Sequence, residues 1–267
     1  MSCVENFETL ASPIWQACNG TKHIQPMRIH AWRVVEYQSR STTRELVDST
    51  EEHTLLETML EEQSKPPLSH THEFQGLHYL LSTPFRYPPL KYGSRFGDRF
   101  ERSLWYGSKE IQTAFGEVAF YRFLFFGASA AALTPCTVHL SAYRALVTTE
   151  QAILLGDIPF AEYKNKIVQK DSYQHSQPLG MNMRRDQIQA FSYPSARVEG
   201  INIGVFTPYA FSERSQIKTC QTWQCYVDPI CVEFKRSPLF KMHPWVFQKA
   251  HFLLNGELPF AHCSAYA

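Results

Sequence analysis

The chain has 267 residues, of which 44% are hydrophobic and 19% charged, with 19 Phe, 13 Tyr and 5 Trp; this is ample apolar mass for a packed interior and argues against wholesale disorder. That length suits one main core with an added segment, a domain taking roughly 100–200 residues. A formal net charge of +1 gives no overall field to gather a polyanion, so composition speaks against a dedicated nucleic-acid binder.

The opening stretch MSCVENFETL lacks the basic-then-apolar order of a secretory signal, which predicts a protein that is not exported. Phe123 to Leu133 is the longest mostly apolar run and falls short of the ~20 residues of a membrane helix, so no membrane span is expected. Seven cysteines, an odd number spread from Cys3 to Cys263, fit reduced thiols in a cytoplasmic protein better than a disulfide framework. Cys220, Cys225 and Cys231 cluster without the paired knuckles of a zinc site, and His70 and His72 have no companions to complete a ligand set; no metal is expected.

Ile24, Met27, Ala31, Val34 and Val35 recur at helical spacing, and Leu55, Leu56, Met59 and Leu60 share one face of a second helix. Ser49 stands three residues before Glu52, the spacing of a capping box, and Lys65-Pro66-Pro67 ends that helix. The stretch from Leu77 reads as a strand. An irregular Pro- and Gly-punctuated loop and a short strand at Ser103–Tyr106 follow. Lys109 to Phe126 is a predominantly apolar helix that carries Glu117. Further strands are predicted at Thr137–Val147, Gly200–Phe206 and Trp223–Phe234, with a polar, helical stretch at 171–190 and an aromatic tail after Lys235 packing back on the core. No repeat of fixed period is present.

From Arg95 the sequence runs RFGDRFERSLWYGSKEIQTAFGEVAFYR, and further on YPSAR precedes GINIGVFTPYAF. The ordered set resembles the RES family, whose members carry an arginine in a Gly-Arg-aromatic loop, a tyrosine about ten residues on, a glutamate in an Ala-x-x-Glu-Val helix, and a later serine. Arg95, Tyr106, Glu117 and Ser195 take those positions, and the likeness covers roughly residues 77 to 235. Gly-Asp-Arg-Phe stands where the family commonly has Asn-Pro-Pro-Gly, and Arg86, Arg99 and Arg102 are rival arginines nearby.

This resemblance implies an α+β fold, with an ADP-ribosyltransferase-like mixed β-sheet core and flanking helices over residues 76–267 and an N-terminal helical extension over residues 1–75. It also implies a toxin-like enzyme that cleaves NAD at the nicotinamide–ribose bond, held in check by a separately encoded antitoxin. NAD is then substrate, with no further cofactor. Breaking that bond develops positive charge on the ribose, which the Glu117 carboxylate can oppose. Arg95 can clamp pyrophosphate, Tyr106 can stack on the cationic ring, and Ser195 can hydrogen-bond the carboxamide or ribose. The ribosyl acceptor stays open between water, phosphate and a protein side chain, as does a protein ADP-ribosyltransferase or a non-catalytic interaction module on the same fold. A homo-oligomer is expected, with helices such as Thr50 to Gln63 docking on the core or lining an assembly surface. The Glu-rich run from Glu51 to Glu62 speaks against a DNA-recognition helix there.

Overall fold

A computed structural model describes residues 12–37, 49, 51–52, 55, 72–87, 91–128, 134–214, 216–236 and 243–260. Helix α1 (Pro13–Ala17) comes first, capped by the Ser12 hydroxyl accepting from the Trp15 amide. The helix expected over Ile24–Val35 is not there. That run is strand β1 (Gln25–Glu36), antiparallel to β3 (Cys136–Leu154) through almost its whole length. Its apolar residues fit two periods at once: Met27 and Ala31, four apart, are buried on one face with Ile29 packed against the same core between them. Long-range pairing and the β-branched and aromatic content of Ile29, Trp32, Val34 and Val35 decide for the strand.

Strand β3 is the spine. It meets β1 on one edge; on the other it pairs antiparallel with β6 (Cys220–Val227) and, at its end, parallel with β4 (Ala190–Pro194). From β4 the pairing continues through β5 (Ile201–Val205) and β2 (Trp105–Ser108) back to β1 at Trp32↔Ser108. Strands β1, β2, β5, β4 and β3 thus form a closed ring, while β7 (Cys231–Arg236) and β8 (Trp245–Gln248) extend the sheet outward from β6. The sheet is mixed and flanked by helices, the expected α+β class.

Two further segments differ from expectation or extend it. Leu77 onward forms helix α2 (Tyr79–Arg86), because His78 Nδ1 accepts from the Leu80 amide as an N-cap, and Leu81 and Phe85, one turn apart, are buried. Ser49 and Glu52 make the reciprocal bonds of a capping box, and Glu51, Glu52 and Leu55 are helical; the rest of that expected helix, to Gln63 and the Pro66-Pro67 stop, lies outside the described residues.

Helix α3 (Ile111–Ala128) stands where predicted, and Phe115, Phe120 and Phe123 bury against Trp223, Phe234, Phe247 and Phe252. The last three come from β7, β8 and the turn after it, so the described tail packs back on the core. Short helix α4 (Lys164–Ile167) and helix α5 (Ser176–Arg185) cover the other end of the ring. Among the described residues no helix is long and apolar enough to cross a membrane, and no group of three or more His, Cys, Asp or Glu is placed to hold a metal ion.

Candidate active site

A cavity of about 270 Å³ opens where β1, β2, β5, α3 and the loop before β2 converge. The loop is shaped by backbone: Gly93 has φ +69°, and Ser94 and Gly97 exchange amide–carbonyl hydrogen bonds of 2.7 and 3.3 Å, projecting Arg95 and Phe96 from a tight turn. Phe96 is fully buried beneath Phe191 and Tyr193, anchoring the turn in the core. Gln177 of α5 donates to the carbonyls of Tyr92 and Ser94 at 2.9 and 3.1 Å, tying the loop down from outside.

Arg95 is buried to 8% exposure and makes no ion pair with Asp98 or any other described carboxylate. Its Nη1 donates to the carbonyls of Ile167 (3.3 Å) and Gln169 (2.8 Å), and its guanidinium sits 5.1 Å over the Tyr173 ring. Tyr106, on β2, shares a 3.0 Å hydrogen bond with Ser94 Oγ, and its hydroxyl accepts from the Phe96 amide at 3.1 Å. Burial pushes its phenol up to about 12, so the ring stays neutral throughout the physiological range.

Glu117 enters from α3, and two donors converge on its Oε1: Ser195 Oγ at 2.7 Å and Asn202 Nδ2 at 2.5 Å. Asn202 is oriented in turn by Ser108, its cross-strand partner, which donates to Asn202 Oδ1 at 2.7 Å. Oε2 of Glu117 accepts no hydrogen bond among the described residues. A carboxylate with one oxygen fixed and the other available presents charge in a set direction, which suits electrostatic stabilisation of a cation.

Of the four residues singled out from sequence, Arg95, Tyr106 and Glu117 line the cavity. Ser195 stands behind Glu117: besides donating to the carboxylate, its Oγ accepts from the amides of Arg197 (3.1 Å) and Val198 (3.3 Å). Among the competing arginines, Arg102 pairs with Glu73 at 2.8 Å and Arg99 stacks on the exposed Phe100; neither they nor Arg86 line this cavity. Sequence reasoning passed over Arg33, Tyr121, Tyr173, Tyr193, Arg197 and Asn202, all in the wall. Arg197 donates to the Lys170 carbonyl at 2.9 Å and lies 3.6 Å over Phe120; burial, then the Arg95 charge, lowers its pKa against the opposing pull of Glu117. One signal pointed at Asn202, a lone amide between isoleucines in a strand that otherwise reads as buried.

Fold and site together define an α+β protein with a cavity, lined by charged, aromatic and aliphatic side chains, beside a closed strand ring. The family model of the RES domain matches residues 69–228, and the chain belongs to that family. Among curated proteins, none matches the sequence. Of solved structures, the chain is similar to the crystal structure of the M. tuberculosis MbcT-MbcA toxin-antitoxin complex, at 11% identity and a TM-score of 0.47, covering 83% of this chain and 95% of that one.

Proposed function

We propose that this protein cleaves NAD at the nicotinamide–ribose bond and acts as the toxin of a toxin–antitoxin pair in the cytoplasm. One observation carries the chemistry: Glu117 sits in the cavity wall with Oε1 held by Ser195 and Asn202 and with Oε2 accepting no hydrogen bond among the described residues. As the carbon–nitrogen bond breaks, its electron pair leaves with nicotinamide, and the ribose becomes oxocarbenium-like. The fixed carboxylate opposes that charge inside a walled cavity, where screening by water is weak.

Arg95 and Arg197 make no ion pair among the described residues, so their cationic heads are available to substrate oxygens. The neutral ring of Tyr106, held by Ser94 and Phe96, offers its face to the nicotinamidium. An enzyme of this kind consumes the NAD of its own cell, which supports the antitoxin half of the reading.

The test is release of free nicotinamide from NAD by the purified protein. Glu117→Gln keeps shape and hydrogen-bonding capacity but removes the charge, and the rate is expected to fall by roughly 10²–10³-fold. A folded wild-type protein that leaves NAD intact overturns the proposal. Mass spectrometry of the products identifies the acceptor as water, phosphate or a protein side chain.

A further inference from the structure

Tyr193 stands in the cavity wall with a hydroxyl that no described protein group uses. It lies on β4, two residues before Ser195, and is the antiparallel cross-strand partner of Asn202, so its side chain leaves the same face of the sheet as the amide that holds Glu117. The residue is only 6% exposed, and three aromatic neighbours fix its ring: Phe96 edge-on at 4.8 Å between centroids, Phe191 tilted at 5.8 Å, and Tyr106 edge-on at 6.5 Å. The hydroxyl makes no hydrogen bond among the described residues and, unlike the enclosed nitrogens of Arg33 and Arg102, it is open to solvent in the cavity. A few fixed polar groups in an otherwise packed wall are what orient a ligand in such a cavity. The other wall tyrosines differ: Tyr106 bonds Ser94 and Phe96 through its hydroxyl, Tyr173 lies under the Arg95 guanidinium, and Tyr121 is 57% exposed.

The planes of two rings decide which substrate group Tyr193 meets. Tyr106 and Tyr193 stand at 78° to each other. With a nicotinamidium laid on the Tyr106 face, the rim of the substrate ring turns toward Tyr193. That rim bears one hydrogen-bonding substituent, the carboxamide, because the ring nitrogen is bonded to the ribose. Burial, and then the nearby Tyr106 and Glu117, hold the Tyr193 phenol well above the usual tyrosine range, so it keeps its proton and can donate it to a carbonyl oxygen. As the carbon–nitrogen bond breaks, its electron pair passes to the ring nitrogen, the pyridinium becomes neutral, and the carbonyl oxygen gains electron density. A donor at that oxygen therefore binds the transition state more tightly than the substrate.

We propose that the Tyr193 hydroxyl donates a hydrogen bond to the carboxamide carbonyl of the nicotinamide leaving group, making Tyr193 a further catalytic residue and the protein selective for a carbonyl at that position. This rests on the NAD-cleaving reading and deepens it by naming what the site recognises in the leaving group.

Tyr193→Phe keeps the ring and its packing and removes one oxygen that no described protein group bonds, so the thermal midpoint is expected to stay at the wild-type value. The variant and the wild type are compared on NAD, on its 3-acetylpyridine analogue, which keeps the carbonyl, and on its thionicotinamide analogue, whose sulfur is a weak acceptor. The substitution is expected to lower kcat/KM roughly 10-fold on the first two, mainly through kcat, and less than about 3-fold on the third. Dividing variant by wild type on each substrate removes the leaving groups' own differences. With wild type alone, free nicotinamide and 3-acetylpyridine are expected to inhibit at concentrations roughly 5-fold below thionicotinamide, an independent reading should the variant fail to fold. A folded variant with wild-type rates, an equal loss on all three substrates, or equal inhibition by the three free bases overturns the role of Tyr193 while NAD cleavage stands. Absence of wild-type turnover of NAD overturns the NAD reading and this inference with it.

Discussion

Glu117 depends on two neighbours that do different amounts of other work. Asn202 spends its amide on Glu117 and its carbonyl on Ser108, whereas Ser195 also caps the turn that carries Arg197. Asn202→Ala and Ser195→Ala are both expected to lower nicotinamide release by roughly 10- to 100-fold by loosening the carboxylate. Ser195→Ala is also expected to cost about 1–2 kcal/mol of stability, because the Arg197 and Val198 amides lose their acceptor. Steady-state kinetics beside denaturant unfolding separates the two effects; unchanged activity in both variants would refute the role given to Oε1. A second residue-scale expectation concerns Tyr143, fully buried, which accepts from Trp105 Nε1 and donates to the Leu80 carbonyl. Burial raises its phenol to about 12, above the ~10 of an unfolded tyrosine. Folded and unfolded states are both protonated below pH 10; as pH rises toward 12 the unfolded chain loses the proton first, so the native state loses up to about 2–3 kcal/mol of stability. Tyr143→Phe should be about 1–3 kcal/mol less stable than wild type at pH 7, and that gap should narrow between pH 10 and 12. A gap that stays constant with pH, measured by urea unfolding, would show that the phenol does not titrate as its burial requires.

At the scale of elements, helix α5 and the Arg95 loop meet without room to spare. A Cβ on Gly180 would run into the Phe96 backbone, while one on Gly127, in α3, would meet nothing within 4 Å. Alanine improves both helices by about 0.5–1 kcal/mol in propensity, so Gly127→Ala is expected to stabilise by that amount. Gly180→Ala is expected to destabilise by about 1–3 kcal/mol and to lower activity, since relief of the clash displaces the turn that carries Arg95. Paired unfolding midpoints decide it; stabilisation by both substitutions would refute the tight contact. The elements nearest the chemistry were also the most legible in sequence. Helix α3 comes from local periodicity, and it holds; Tyr106 and Glu117 are paired by the family resemblance, at a separation of 11 residues. What escaped was non-local. The residues of β1 satisfy a helical spacing, and only pairing with β3, more than a hundred residues away, makes them a strand. Segment 79–86 escaped for the opposite reason, because its apolar run is short enough to read either way until the His78 cap is seen. The polar wall followed the same rule: Arg197 and Asn202 belong to the site because β4 and β5 lie beside β2 and α3, an adjacency that no spacing in the sequence encodes.

Across the whole molecule, β1 lies outside the span of the family match and yet inside both the sheet and the site. It closes the ring by pairing with β2 and β3, places Met27 and Ala31 in the central core, and lends Trp32, Arg33 and Val34 to the cavity wall. A chain beginning at Ser69, where the family match starts, therefore loses more than an appendage. It exposes one edge of β3 along Leu140–Ala152 and one edge of β2, and it uncovers core residues such as Trp105, Tyr143 and Val147. Unpaired edges beside uncovered apolar surface drive aggregation, and a domain's net stability, about 5–15 kcal/mol, leaves little margin for the loss of a strand paired along almost its whole length. Such a truncated chain is expected to show no cooperative unfolding transition and to release no nicotinamide from NAD, whereas a chain beginning at Ser12 keeps both properties. Circular dichroism through a thermal ramp, run on the two proteins side by side, reads the outcome. A cooperative transition in the shorter protein would show that the ring is not needed for folding; if nicotinamide release also survived, the part given to β1 in the site would fail as well.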